Sequence, residues 1–194
     1  MRPCWIAGFA LIAALNAHAN ECNVLVFLRS DARMPAGMEM KATTKARAMF
    51  HDIGIEVNFR SANFQVRPRD RACGEPVIAQ IEDRASEKGV SPTALGYAAP
   101  YQDSGTSIHI LMDRVRQGYG DALTTSILAH VLVHEISHVL QHVSRHSPDG
   151  VMKAHWAGRD MRDMAVRPLP FNEEDVRLLR QGIAYRRSMP AIAN

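Results

Sequence analysis

The chain has 194 residues, of which 46% are hydrophobic and 22% charged, a balance that excludes intrinsic disorder and fibrous repeats. That length suits one well-buried domain and is short for two. A formal net charge of +3, with no run of lysines or arginines, argues against a dedicated nucleic-acid surface, and no nucleic-acid partner is expected.

The first element is an export signal. "MRPCWIAGFALIAALNAHAN" opens with Arg2, runs apolar from Cys4 to Leu15 and ends in Ala17-His18-Ala19, the small-x-small pattern that signal peptidase cleaves after. Residues 1–19 are therefore read as a cleavable signal peptide, and the mature chain as secreted or periplasmic. The apolar run of about a dozen residues is well short of the roughly 20 that span a bilayer as a helix, so no stable membrane anchor is expected after cleavage. A lipid anchor would need a cysteine directly after the cut, whereas Asn20 and Glu21 precede Cys22. Loss of Cys4 leaves Cys22 and Cys73 in an oxidising compartment, where one disulfide between them is the expected state.

Residues 20–185 read as one domain. The apolar stretch NVLVFL, residues 23–28, has the length and composition of a strand buried on both faces. Ala42, Ala46, Met49, Phe50 and Ile53 recur at spacings of three and four, which predicts a helix that stops at Gly54. IEVNF, residues 55–59, alternates apolar and polar residues and predicts a half-buried strand, parallel to the first. Further strands are expected at 77–81, at 94–99 (Ala94, Leu95, Gly96, Tyr97, Ala98, Ala99) and at 107–112, the last two forming a hairpin across a loop containing Pro, Asp and Gly.

A long helix is predicted from Asp121, as N-cap, to about Val143. Its apolar residues cover most of the circumference and leave mainly a histidine-bearing side free, so it belongs in the middle of the protein. A last helix is predicted from Asn172 to about Tyr185, with Asn172 as cap, Asp175 in the first turn and Phe171 able to staple against Val176. Residues 186–194 read as a flexible tail.

The central helix carries the chemistry. In "HEISHVLQHVSRHSPDGVM", His134 and His138 are four apart and project from one helix face, where their imidazoles can converge on one tetrahedral ion. Glu135 completes HExxH, and a carboxylate there reaches a zinc-bound water rather than the zinc. A catalytic site needs a third protein ligand and an open position. His142 lies two turns, about 12 Å of rise, from His134 and cannot close round the same ion on a straight helix. His146 follows residues that break helices and make turns, so it is the expected third ligand.

The same stretch resembles the metzincin zinc-protease signature, HExxHxxGxxH followed by a methionine turn, with two additional residues before the third histidine. It is more similar still to exported bacterial proteins of uncertain function whose pattern is approximately HExGHxLLGxxxHSxxGIMxxxW. The resemblance implies zinc on His134, His138 and His146, Glu135 as general base, Met152 in a methionine turn and Trp156 as the closing tryptophan. It also implies an α+β, zincin-like domain: a five-stranded, mixed, twisted sheet packed on a central active-site helix, with a C-terminal helix. Residues 94–99 would be the antiparallel edge strand that takes the substrate. Three departures stand out. His142 replaces a glycine, Ser137 replaces another, and Ala154 occupies the place of a tyrosine found in many metzincins. His130, His142 and Trp156 are candidates for the surroundings of the ligands: His130 is read as a packed histidine or one lying behind them, and His142 foremost as a surface residue, with a place beside the ligands or in a second weak site as the alternatives.

The function expected is that of an exported, monomeric zinc metallopeptidase acting on peptides or proteins. The alternative is a catalytically weak or inactive zinc-binding adaptor of the same fold.

Overall fold

The computed structural model describes residues 23–61, 72–85, 89–99 and 107–188. The signal segment, Cys22 and the last six residues lie outside that range. In chain order the elements are β1 (Val24–Ser30), α1 (Met38–His51), β2 (Val57–Ser61), β3 (Val77–Glu82), β4 (Gly96–Ala99), β5 (Ser107–Leu111), α2 (Met112–Arg116), α3 (Asp121–Gln141), α4 (Gly158–Val166) and α5 (Glu173–Ser188).

The strands form one mixed sheet in the order β2-β1-β3-β5-β4. β1 pairs in parallel with β2 and β3, and β3 pairs in parallel with β5, whereas β4 runs antiparallel to β5 at the edge. Alternate residues of the inner strands, Val24 and Val26, Val77, Ala79 and Ile81, Ile108 and Ile110, are fully or almost fully buried, and they join the helices in a single core. α1 and α3 pack against each other, and α3 also touches β3, β4 and β5. Along α3, Ile127, Leu128, Val131, Leu132, Ile136 and Leu140 are all 2% exposed or less. At about 2 kcal/mol for each large apolar side chain removed from water, that burial offsets the cost of carrying polar residues on the same helix. Its apolar composition is long enough to span a membrane, and burial within the fold accounts for it.

Several boundaries differ from expectation for local reasons. β4 starts at Gly96 rather than Ala94, because the Arg114 guanidinium donates to the carbonyls of Ser91 and Ala94, both at 2.6 Å, and holds that segment in a turn. α3 starts with Asp121 as its first residue and Gly120 as N-cap. Met112 leaves β5 to begin α2. Asn172 does cap α5: its side-chain oxygen accepts the Asp175 N–H at 2.8 Å, and Asp175 returns the interaction to the Asn172 N–H at 3.3 Å. Phe171 lays its ring against Phe50, with centroids 5.7 Å apart.

The tail begins later than expected. α5 continues through Ser188 because Arg186 is buried and its guanidinium donates to the carbonyls of Cys73, at 3.0 Å, and Glu75. Those contacts clamp the loop around Cys73 to the last helix. The Cys73 N–H in turn donates to the Asn23 carbonyl at 2.8 Å, one residue from Cys22 in the chain.

α4 was not expected. Its core-facing side is short, with Met161 packed against the core and Met164 buried three residues on, a pair too brief to be read as a helix from spacing alone. It starts where the Asp160 carboxylate accepts both the Ala157 N–H and the Lys153 ammonium, each at 2.7 Å.

Candidate metal centre

α3 delivers two histidines one turn apart. His134 Nε2 and His138 Nε2 lie 3.0 Å from each other. The helix then ends at Gln141, and His142 takes the left-handed conformation, φ 54° and ψ 22°, in place of the usual glycine. This reversal brings back His146, whose ring centroid lies 5.3 Å from that of His134 and 4.9 Å from that of His138. One nitrogen of each of the three falls within 4.8 Å of the others. His142 stays out of the cluster, exposed, with its ring edge-on to Tyr185 at 5.4 Å.

These residues fit zinc. Bonds of about 2.0–2.1 Å at tetrahedral angles set ligand nitrogens roughly 3.3 Å apart, close to the spacing of the first pair. His134 Nδ1 faces the Val151 carbonyl at 2.9 Å and His138 Nδ1 faces that of Val143 at 3.4 Å. With the proton held on Nδ1, Nε2 is left as the ligand atom. Burial, reinforced by the other histidines, lowers His134 to about 3 and His138 to about 4, and burial also lowers His146. All three are neutral near pH 7, as metal ligands must be.

Glu135 is 7% exposed, and burial alone raises its carboxyl to about 8. A dication beside it would pull that value back down. The side chain lies under the edge strand: a Cβ on Gly96 would fall 3.1 Å from Glu135 Cγ, 3.0 Å from Val131 Cγ1 and 2.7 Å from the His109 carbonyl oxygen. Only glycine leaves room there.

The turn after His146 is built around Met152. This methionine is fully buried, and its carbonyl accepts the Ser147 N–H at 2.8 Å. Gly150 has φ 71°, and a Cβ on it would come within 2.2 Å of the Pro170 oxygen. Trp156 sets its ring edge-on to His134 at 5.5 Å and to His130 at 6.2 Å. His130 is a packed histidine that acts as a brace. Its Nδ1 donates to the Ser126 carbonyl at 2.6 Å and its Nε2 accepts the Leu169 N–H at 2.9 Å, so the neutral ring ties α3 to the chain beyond α4.

One residue at the centre was read only as a helix start. Asp175, fully buried, accepts the Ser147 hydroxyl at 2.6 Å and the Arg145 guanidinium at 2.8 Å, and these donors flank His146. No local pattern could have linked Asp175 to the turn that carries His146.

The three histidines and Glu135 open onto a cleft of about 1120 Å³, whose far wall is formed by Ala94, Leu95, Gly96, Tyr97 and Ala98. Among the described residues β4 is the last strand of the sheet and pairs with β5.

No family model and no curated protein sequence matches the chain. Its fold matches the crystal structure of archaemetzincin from Methanopyrus kandleri with a TM-score of 0.57 at 12% identity, over 84% of this chain and 96% of that one. At that identity the likeness is one of fold, and the fold is an α+β, archaemetzincin-like arrangement of helices around a mixed five-stranded sheet.

Proposed function

We propose that the chain is an exported zinc-dependent metallohydrolase, and specifically a peptidase. The observation that carries this reading is the convergence of His134, His138 and His146 within 4.8 Å, with Glu135 next to His134 on the same helix and the edge strand β4 across the cleft. Zinc, when bound, polarises a carbonyl and makes water more acidic. Glu135 then does the proton work. It takes a proton from water as the water oxygen bonds to the scissile carbonyl carbon, and it returns that proton to the amide nitrogen as the C–N bond breaks. An extended peptide laid along the outer side of the edge strand β4 would find main-chain donors and acceptors there, and Gly96, having no side chain, lets that strand itself lie directly against Glu135.

Residues 1–19 direct export in this reading, the mature protein acts as a monomer, and Cys22 and Cys73 form a bridge that staples the start of β1 to the loop held by Arg186. The hydrogen bond from Cys73 to Asn23 supports the pairing by bringing the two stretches of chain together. Intact mass before and after alkylation of exported protein checks the bridge, and two alkylated thiols without reduction would refute it.

The second reading is a zinc-holding adaptor with little activity, and Ala154 supports it by leaving a hydroxyl-free, exposed position where many metzincins carry a tyrosine. Metal analysis of the mature protein together with a broad peptide-library digest separates the cases. Stoichiometric zinc with cleavage supports the peptidase, zinc without cleavage supports the adaptor, and absence of zinc binding contradicts both.

A further inference from the structure

β4 has two faces, and only one of them is turned to α3. Gly96 is on that side, since a Cβ there would meet Val131 and Glu135. Tyr97, the next residue, therefore stands on the opposite face of the sheet. Its ring lies flat on that of His109, directly across on β5, with the planes parallel and the centroids 4.6 Å apart. His109 is 7% exposed, and its Nδ1 donates to the Glu82 carboxylate, on β3, at 2.5 Å. Three strands thus feed one stack: Glu82 orients the imidazole, and the imidazole orients the phenol ring. Tyr97 also lines the cleft.

The ladder shows how a peptide would meet this ring. The Leu111 N–H donates to the Leu95 carbonyl at 2.9 Å, so those two residues are a hydrogen-bonded pair. Such pairs alternate along an antiparallel ladder, which makes Tyr97 and His109 the next one and turns the main-chain groups of Gly96 and Ala98 away from β5. A peptide strand laid against Gly96 and Ala98 sends the side chains opposite those residues towards α3. The side chain between them, across from Tyr97, rises on the other face within reach of the phenol ring. His109 meets that ring from the β5 side, and the peptide meets it from the other.

We propose that Tyr97 is a specificity-determining residue of the cleft, receiving an aromatic or large apolar substrate side chain on its ring, and that His109 and Glu82 are the positioning residues that hold it. This rests on the peptidase reading and names the peptides that such a site selects. A ring already held by a buried partner loses little freedom on binding, and its flat π surface favours another ring or a broad apolar group over a short or charged one. Main-chain pairing alone would be indifferent to that side chain.

The test uses zinc-loaded mature protein and a library of end-blocked peptides randomised at every position, followed by a pair of peptides that differ only in carrying Phe or Ala at the selected position. Wild type is expected to select an aromatic residue at one position near the scissile bond and to favour the Phe peptide about tenfold in kcat/KM, the size of one aromatic contact. Tyr97→Ala should bring that ratio below about twofold, and Tyr97→Phe should keep it. Tyr97→Leu, which keeps apolar bulk in the fold, should also lower the ratio and covers the case in which Tyr97→Ala does not fold. Glu82→Ala should lower the ratio through KM of the Phe peptide, and Glu82→Gln, which still accepts from His109, should restore it. A general loss of structure lowers cleavage of both peptides alike and does not move the ratio. An active wild type without the preference, or a Tyr97→Leu variant that keeps it in full, overturns the role of Tyr97 alone, and a wild-type ratio in Glu82→Ala overturns the positioning role. A zinc-loaded wild type that cleaves no peptide overturns the peptidase reading and this proposal with it.

Discussion

The Ser147 hydroxyl donates to Asp175 across 28 residues of chain at 2.6 Å, and that one bond joins the turn carrying His146 to the first turn of α5. Arg145 donates to the same carboxylate oxygen from the other side of His146. The turn that carries His146, the proposed third ligand, is therefore held from behind by a buried acid, as ligands of metal sites commonly are.

Asp175→Asn keeps the shape but weakens both bonds, so zinc affinity should fall by about 10–100-fold while the fold survives. Asp175→Ala should cost more, on the order of 3 kcal/mol in stability, because Ser147 and Arg145 lose their acceptor at a fully buried site. Competition with a zinc chelator and urea unfolding measure the two effects. Unchanged zinc affinity in Asp175→Asn would show that the third ligand needs no such support.

Gly96 joins Glu135, the proposed general base, to the strand proposed to take substrate. Gly96→Ala puts a methyl group 2.7 Å from a backbone oxygen and 3.1 Å from Glu135 Cγ, so the strand or the carboxylate must move. We expect kcat/KM to fall by about 100-fold, since a displacement of about 1 Å at a reacting group has that effect, with zinc retained. Overpacking should cost about 1–3 kcal/mol of stability. A folded Gly96→Ala protein with normal turnover would separate the strand from catalysis.

His130 gives the fold a dependence on acid. Burial lowers its pKa from 6.5 to about 4, so as pH falls the unfolded chain takes up a proton first. Stability is complete above pH 6.5 and is lost progressively as pH falls from 6.5 towards 4, by up to about 3 kcal/mol. In metal-free protein, His130→Phe should be less stable than wild type at pH 7 but should lose about 2 kcal/mol less between pH 7 and pH 5. Parallel stability curves for the two proteins would rule out this source of acid sensitivity.

The parts legible in the sequence are those with a local period or a local break. Helical spacing places His134, Glu135 and His138 on α3, and the turn-forming residues after His142 imply a chain that can return His146 to them. His142, which replaces a glycine of the resembling pattern, takes a left-handed backbone, and it ends the helix there. Alternation and apolar runs locate the strands, though β4 is shortened by Arg114, a partner 20 residues from Ala94 that no strand pattern encodes. Asp175 was invisible as a support, and the partner of His130 could not be named, because each acts through a tertiary contact. His130 reaches Leu169, 39 residues away, and Asp175 reaches Ser147, so neither leaves a trace in local periodicity.

The central claim is that His134, His138 and His146 hold one zinc ion and that His142 does not take part. The decisive measurement is zinc affinity of the mature protein by chelator competition for wild type, His146→Ala and His142→Ala, with folding checked by circular dichroism. The account predicts at least a 100-fold loss for His146→Ala and no more than a few-fold change for His142→Ala, since His142 faces Tyr185 outside the cluster. Equal losses for the two variants, or wild-type affinity in His146→Ala, would contradict it.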